Sequence, residues 1–481
     1  MSTHIISIKT RVIQKVFIGA LSLTLSACSL FQGRSEPVAL ADIPSRWETE
    51  QAKQQMAGVW LDEFNQPELA ELIAEAFVNS PDLLAQLSVV KLAQVNAKLA
   101  GADHWPQLSA GLGSSRNKRG NTGGYSISSV YSTSYKFSLD FSWEVDLWRR
   151  LSNGVKAAQY DVTAAHADYK AAQFSLAANI IKTWFDAIEA QQQLRLSKQT
   201  LENYKDVLQV VERGYNYGLY RALDVRLARS NMLNAVNREQ NYKINKQQAL
   251  SSLEVLLGRY PTATLVLSDT LPELGAPVPA GLPADLLNRR PDIIAAKQRF
   301  KALDQRHIQA KKNRLPAIRL TGSGGTSSHA LSDLVNTDYL VWNFASGIVQ
   351  PLFQGGRLDA LRDEAAIRWQ QSEHEYRARV LQAFKEVETA LSSEQWLLQQ
   401  ETALAETAKE LDEAQLLAMQ DYISGLTDIS TLLQTQRQAF DAQSSLLVAH
   451  RNRLQNRVNL YLALGGPIRT EQAITQPQEK P

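Results

Sequence analysis

The stretch that decides the fold is Tyr131–Arg150, which reads YSTSYKFSLDFSWEVDLWRR. Its first part alternates between two sets of side chains. The mostly apolar set consists of Tyr131, Thr133, Tyr135, Phe137, Leu139, Phe141, Trp143 and Val145. The polar set consists of Ser132, Ser134, Lys136, Ser138, Asp140, Ser142, Glu144 and Asp146. A period of two predicts a β-strand whose two faces meet different solvents.

Two kinds of protein match this strand taken alone. One is a soluble sandwich, in which the apolar face covers a core. The other is a membrane barrel with a water-filled lumen, for which a long strand with aromatic side chains towards both ends is typical. In the barrel, the lipid-facing residues are Tyr135, Phe137, Leu139, Phe141 and Trp143. The remainder of the chain favours the barrel.

Composition excludes several classes of function. The chain has 481 residues, with 51 Lys and Arg, 49 Asp and Glu, and one Cys. The near-neutral charge argues against a nucleic-acid partner. A single cysteine excludes a disulfide framework and a thiolate zinc site. No stretch is long enough for a mature transmembrane helix, so we expect any membrane span to consist of strands.

The first residues predict secretion and a lipid anchor. Basic residues precede an apolar run that ends in Leu25-Ser-Ala-Cys28, the pattern of a signal peptide over residues 1–27. Residues Leu25–Cys28 resemble the lipobox of bacterial lipoproteins. This resemblance predicts a covalent lipid on Cys28 and a lipidated segment over residues 28–60. The alternative is that Cys28 is a small buried thiol, as free cysteines often are.

The chain repeats one plan twice. Pro81 recurs as Pro291 and Pro106 as Pro316, each at an offset of 210 residues, and Tyr215 recurs as Tyr422 at an offset of 207. Landmarks in the same order indicate an internal duplication. We predict a first repeat over residues 61–258, a Pro-rich linker over 259–282, a second repeat over 283–465 and a polar tail over 466–481.

Each copy reads helix, strand, loop, strand, long helix, turn and helix. The predicted loops are Arg116–Val130 and Ser327–Thr337. The strand after Pro316 has a clear apolar face, whereas the alternation over Leu340–Gln350 leaves its facing open. In the linker, Val266 and Leu267 match a short strand.

The helices are unusually long. Residues 150–213 contain no proline, and their apolar residues recur every three or four positions in a seam from Val155 to Leu176. Leu176, Ile180, Trp184 and Ile188 continue this seam at a spacing of four. The second copy has a matching helix at about Leu358–Gln420, and the shorter predicted helices are Asp82–His104 and Leu219–Leu257.

Counting strands predicts self-association. Each chain offers four strands, whereas a closed membrane barrel needs about eight or more. Because open strand edges cannot face lipid, several copies have to close the sheet together.

These residues resemble the TolC-like outer membrane factors, in particular their lipoprotein branch, over nearly the whole mature chain. The resemblance rests on Leu25–Cys28, Trp60 with Phe64–Pro67, Gly281–Asp292, Pro351–Arg357, Tyr422–Asp428 and Leu464–Gly466. It implies an α+β membrane protein in which a trimeric β-barrel, with four strands per chain, continues into a long α-helical barrel. It also implies a location in the bacterial outer membrane with an extension into the periplasm.

The resemblance further implies a passive duct without a cofactor. Its partners would be two further copies of the chain, outer membrane lipid, a periplasmic adaptor and an inner-membrane pump of the RND type. The family's periplasmic gate and adaptor contacts correspond here to Tyr215, Gly218, Arg221, Asp224, Tyr422, Gly425 and Asp428. For Asp224 the alternative is a simple helix cap.

Enzyme chemistry finds little support in the sequence. The seven histidines form neither a helical His-x3-His pair nor a His-Glu-x-x-His motif, and no Gly-x-Ser-x-Gly elbow is present. We therefore predict neither catalytic residues nor a metal site. The rival to a channel is a coiled-coil periplasmic adaptor or a spacer lipoprotein, which would explain the helices and Cys28 but not the duplicated strands.

Overall fold

The computed structural model describes residues 47–48, 60–121, 128–275, 278 and 283–466. The predicted signal peptide, Cys28 and nearly all of the predicted tail lie outside the described residues. The described residues divide into a sheet unit, within Val89–His166 and Ala295–Arg377, and a helical unit, within residues 40–88, 167–294 and 378–466. In the part of the chain that the structure describes, no helix is long and apolar enough to cross a membrane.

The first half of the described chain begins with a 3₁₀ turn at Trp60–Phe64. The elements that follow are α1 (Pro67–Asn79), α2 (Pro81–Ala102), β1 (Gln107–Asn121), β2 (Ser128–Val145), α3 (Arg150–Asn216) and α4 (Ala222–Leu256). Proline stands at the start of both α1 and α2, where its fixed φ suits a helix and its missing N–H costs no hydrogen bond.

The second half begins with a 3₁₀ turn at Pro283–Asp285. The elements that follow are α5 (Leu286–Arg289), α6 (Pro291–Lys312), β3 (Ala317–Ser328), β4 (Leu340–Val349), α7 (Arg357–Ile423) and α8 (Ile429–Leu464). The helices and the four strands predicted for the two copies are confirmed, and the helix ends differ from the prediction by a few residues.

The four strands form one antiparallel sheet in the order β1-β2-β3-β4. The prediction of a loop over Arg116–Val130 was too long, because β1 and β2 stay paired as far as Asn121 and Ser128. Backbone pairing thus extends into this Gly-, Ser- and Asn-rich stretch from both sides. Most of the second predicted loop is irregular, with 3₁₀ turns at Leu331–Val335 and Thr337–Tyr339.

The sheet register settles the facing of β4. Trp342 lies opposite Gly324, and Phe344 lies opposite Gly322. In turn, Gly324 lies opposite Leu139 of β2. Directly paired residues share a face, so the large aromatic side chains of β4 join the apolar face of β2.

A large apolar core fills part of the helical unit. Ile180, Trp184 and Ile188 of α3 are almost wholly buried there, as their spacing predicts. Further along, Leu201, Tyr204 and the residues packed on them form a second cluster. The heptad seam predicted from Val155 to Leu176 is buried only at Ala165, and its other members are half-buried in this chain.

The prediction of a strand at Val266 and Leu267 was wrong: residues 259–268 form neither helix nor strand. The buried Glu254 carboxylate of α4 accepts hydrogen bonds from the backbone N–H groups of Ala263 (2.7 Å) and Thr264 (3.0 Å). These bonds fasten the start of the linker to α4 by a side chain, in place of a strand ladder.

Candidate functional site

Two helix reversals in the helical unit are built in the same way. Gly218 follows α3 with a φ of 76°, and Gly425 follows α7 with a φ of 74°. The Gly218 N–H donates to the Tyr215 carbonyl at 2.9 Å, and the Gly425 N–H donates to the Tyr422 carbonyl at 3.1 Å. A β-carbon at either glycine would meet nothing within 4 Å. The positive φ, rather than crowding, therefore accounts for both glycines.

Asp224 caps the start of α4 at Arg221. An Asp224 carboxylate oxygen accepts the backbone N–H of Arg221 at 3.0 Å, and its other oxygen lies 3.3 Å from the Arg221 guanidinium. Asp224 is only 6% exposed. The interpretation of Asp224 as a helix cap is therefore correct, and its side chain is also buried within the reversal.

Asp428 begins α8 at the second reversal. Its carboxylate accepts the backbone N–H of Thr431 at 2.8 Å and the Thr431 hydroxyl at 2.9 Å. These bonds hold the pKa of Asp428 below its usual range, and the positive charge of Arg221 lowers it further. Arg221 thus acts electrostatically on carboxylates of both reversals.

Tyr422 packs between the reversals. Its ring is 3% exposed and stacks on the ring of Tyr220, with centroids 5.1 Å apart. Burial raises the pKa of Tyr422, and the neighbouring Tyr220 and Asp224 add to this effect. Its hydroxyl has no hydrogen-bond partner among the described residues. An opening of this site would give that hydroxyl access to water.

Sequence reasoning missed Tyr220 and Gly214. A β-carbon at Gly214 would lie 2.0 Å from the Tyr220 ring, so only glycine lets this ring lie against α3. The available signal was a glycine four residues before Gly218 within an otherwise helical pattern.

A cluster of apolar side chains supports the tyrosine pair. Its buried members are Leu201, Tyr204, Val207, Val211, Ala228, Ala235, Tyr422, Ile429, Leu432 and Leu433. The outer surface of the reversals is different, because Tyr215 is half exposed while Tyr217 and Leu426 are mostly exposed. The structure therefore brings together Arg221, Asp224 and Tyr422 of the predicted gate residues, and leaves the Tyr215 side chain on the surface.

The sheet unit has two chemically distinct faces. The side chains on the apolar face include Leu108, Leu112, Tyr135, Phe137, Leu139, Phe141, Trp143, Leu320, Trp342, Phe344 and Ile348. On the other face Ser138, which is buried, donates to Asp140 at 2.9 Å, and Glu144 pairs with Arg150 at 2.6 Å. The five residues predicted to face lipid all belong to the apolar face.

Among the described residues, no group of three or more His, Cys, Asp or Glu side chains could hold a metal ion. Two side chains of α3 that stand close together in sequence contact different neighbours: Asp161 is paired with Arg306, and His166 lies 3.3 Å from the Gln94 amide.

Comparisons with known proteins agree on one family. A model of the family described as outer membrane efflux protein matches residues 72–259 and 282–466. The toluene efflux pump outer membrane protein TtgF of Pseudomonas putida is 31% identical over 483 residues, which cover 97% of each chain. The cation efflux system protein CusC of Escherichia coli is 32% identical over 459 residues, covering 92% of this chain and 97% of CusC.

The likeness extends to solved structures. The open state of the Neisseria gonorrhoeae MtrE outer membrane channel matches with a TM-score of 0.80 at 27% identity. The match covers 91% of this chain and 98% of that channel.

Proposed function

Because the chain belongs to the outer membrane efflux protein family, we propose that it works as a homotrimer that forms a gated, passive duct. Its place is the outer membrane, and it provides the exit channel of an efflux system. The observation on which the trimer rests is the four-stranded sheet, which has one apolar face and two strands without an outer neighbour among the described residues.

The edges of the sheet argue for assembly. In the part of the chain that the structure describes, β1 and β4 each have one partner strand, and every residue of β4 is exposed. Open edges cannot face lipid, and four strands are too few to close a barrel. Three copies would supply twelve strands, with β4 of one copy beside β1 of the next, and would turn the apolar face towards lipid.

Matching element lengths support the proposed duplication. The helices α2 and α6 have 22 residues each, and α3 and α7 have 67 each. The closing helices α4 and α8 have 35 and 36 residues. In a trimer the two copies would together supply the staves of a helical barrel that continues the β-barrel across the periplasm.

The gate, in this proposal, consists of the two helix reversals. The closed state at the periplasmic end is held by the stacked rings of Tyr220 and Tyr422. Asp224 and Arg221 lie beside these rings and add to the contact. The exposed surface around Tyr217 and Leu426 is then available to a periplasmic adaptor, which would bias the gate towards opening.

The driving force would come from a partner. We assign the duct no catalytic role, and an inner-membrane pump, of the RND type by family resemblance, would deliver the cargo. Relatives of nearly equal identity are named for toluene and for cations, which supports a duct whose pump selects the cargo. The N-terminal anchor would be a covalent lipid on Cys28, outside the described residues.

One experiment separates the duct from its rival, a coiled-coil adaptor or spacer lipoprotein. Purified protein is run unboiled on SDS gels and added to a planar bilayer. A duct gives an SDS-resistant trimer and discrete conductance steps. A monomer that washes off membranes and carries no current would overturn the proposal.

A further inference from the structure

Two basic residues lie on the same face of the sheet as the apolar side chains. In the pairing of β1 with β2, Lys118 lies opposite Tyr131 and Arg116 lies opposite Thr133. Both belong to the same alternating set as Leu112, at the end of the strands where β1 and β2 approach their connection. Arg116 and Lys118 therefore share a face with the lipid-facing side chains and not with the polar face.

The two cations meet on one aromatic ring. The Arg116 guanidinium carbon lies 5.4 Å from the centroid of the Tyr131 ring, and the Lys118 ammonium nitrogen lies 5.5 Å from it. Contacts of this kind between cations and rings orient the charged groups without using their N–H donors. Both basic side chains are exposed and have no ion-pair partner among the described residues.

In the strands that the structure describes, no acidic side chain balances this charge on the same face. Among the described strand residues, the acidic groups Asp140 and Glu144 belong to the opposite face, where Glu144 is paired with Arg150. The apolar face thus carries two positive charges per chain, both at one end. In the proposed trimer, six such charges would ring the barrel.

The height of this basic end matches a membrane surface. Trp143 and Tyr131 lie twelve residues apart on β2. At about 3.3 Å per residue and a strand tilt of about 40°, their separation along the membrane normal is ~30 Å. An apolar band about 25 Å tall, flanked by aromatic side chains, places Trp143 and Tyr131 at its two borders.

We infer that Arg116, Lys118 and Tyr131 form a docking surface for the phosphate groups of the glycolipid in the outer leaflet. The inference rests on the proposed orientation, in which the apolar face meets lipid and the helices lie on the periplasmic side. Arginine binds phosphate through paired N–H donors, and lysine adds a point charge. Leu112 and Phe137, on the same face, lie where acyl chains of the same molecule would pack.

The test is native mass spectrometry of the purified trimer with three probes: diphosphoryl lipid A, lipid A without phosphate, and inorganic phosphate alone. The wild-type trimer should retain diphosphoryl lipid A at least about tenfold more than either other probe. The double variant Arg116→Gln/Lys118→Gln should lose this preference. Equal retention of both forms of lipid A by the wild type would overturn the inference.

A matched control removes the same charge from the opposite face. Arg119 and Lys136 are exposed and belong to the other alternating set, so Arg119→Gln/Lys136→Gln should leave lipid A retention unchanged. A loss equal to that of the first variant would also overturn the inference. Bilayer conductance of each variant distinguishes a failed inference from a failed channel, because neither pair contributes to the proposed gate.

Discussion

The ring of Tyr422 lies stacked on the ring of Tyr220, with 5.1 Å between centroids and an angle of 18° between planes. The two residues belong to different helix reversals, so any separation of the reversals breaks the stack. A stacked aromatic pair contributes about 0.5–1.5 kcal/mol beyond its buried area. In the proposed gate, a contact of that size would hold the closed state and still permit reversible opening.

We expect a charge on the apolar face of the sheet to prevent assembly. Phe141→Arg should cost about 1–3 kcal/mol, because the guanidinium would face lipid between the bilayer midplane, where an arginine costs about 2–4 kcal/mol, and the interface, where it costs about 0–1 kcal/mol. The yield of SDS-resistant trimer in outer membrane fractions measures this effect.

The control for that change is Thr321→Arg. Thr321 is exposed on the opposite face, one position from Gly322, which lies opposite Phe141. Its trimer yield should stay near wild type. Ser138 also belongs to the polar set of β2, but it is a poor control. Its side chain is buried and donates to Asp140, so an arginine there would disturb packing as well as charge. Equal losses for Phe141→Arg and Thr321→Arg would contradict the facing.

A buried arginine should dominate the stability of the helical unit. Arg457 is 1% exposed and bonds to the carboxylates of Glu63 and Glu394, the latter at 2.6 Å. Arg457→Ala removes the nearest cation from both carboxylates. Among the described residues, it leaves Glu63 only its bond from Tyr461 and Glu394 its weaker contacts with Arg453 and Asn456. The variant should therefore cost about 3–5 kcal/mol. Urea unfolding followed by tryptophan fluorescence measures the loss.

The exposed pair of Arg195 with Asp269 provides the comparison, with side chains 59% and 80% accessible. Arg195→Ala should cost about 0–1 kcal/mol. If the two alanine variants lost similar free energies of unfolding, burial of Arg457 would not determine how much that residue stabilises the protein.

The first turn of α8 should loosen in acid. The pKa of Asp428 is lowered by its bonds from Thr431, so its capping contribution is present above the usual pKa and is lost as pH falls through the lowered value. Hydrogen exchange of the Thr431 amide, corrected for intrinsic pH dependence, should report this loss. Asp428→Asn, which can still cap, should remove the pH dependence, and an unchanged pH dependence in that variant would place the cause elsewhere.

Cys28 should carry lipid at the mature N-terminus. Mass spectrometry of the protein from membranes should find residues 1–27 removed and a diacylglyceryl group on Cys28. The Cys28→Ala variant, secreted with another signal peptide, should still assemble because the strands also hold the protein in the membrane. An unmodified Cys28, or retention of the leader, would refute the anchor.

Local rules were enough to predict most elements. The alternation around Phe141 defines β2 because period two is a property of one strand. The helix after Arg150 follows from its lack of proline and its regular apolar spacing. The facing of β4 could not be predicted, because Val341, Ala345 and Val349 blur its alternation and only pairing with β3 resolves it.

The candidate site was predictable in part. Gly218 and Gly425 mark the reversals because chain reversal after a helix favours a positive φ. Tyr220 was missed because its role depends on two distant segments meeting and on the missing side chain of Gly214. The burial of Arg457 could not be predicted from the sequence either, because its carboxylate partners Glu63 and Glu394 lie far apart in sequence.

The central claim, a duct gated by its helix reversals, is tested most directly by single-channel conductance in planar bilayers. The comparison is wild type against Tyr422→Ala/Asp224→Ala, with exposed Gln199→Ala/Glu406→Ala as the control pair. A loss of about 1 kcal/mol from the closed state raises the ratio of open to closed channels about fivefold. We predict higher mean conductance for the reversal variant alone, whereas unchanged conductance at normal trimer levels would contradict the gate.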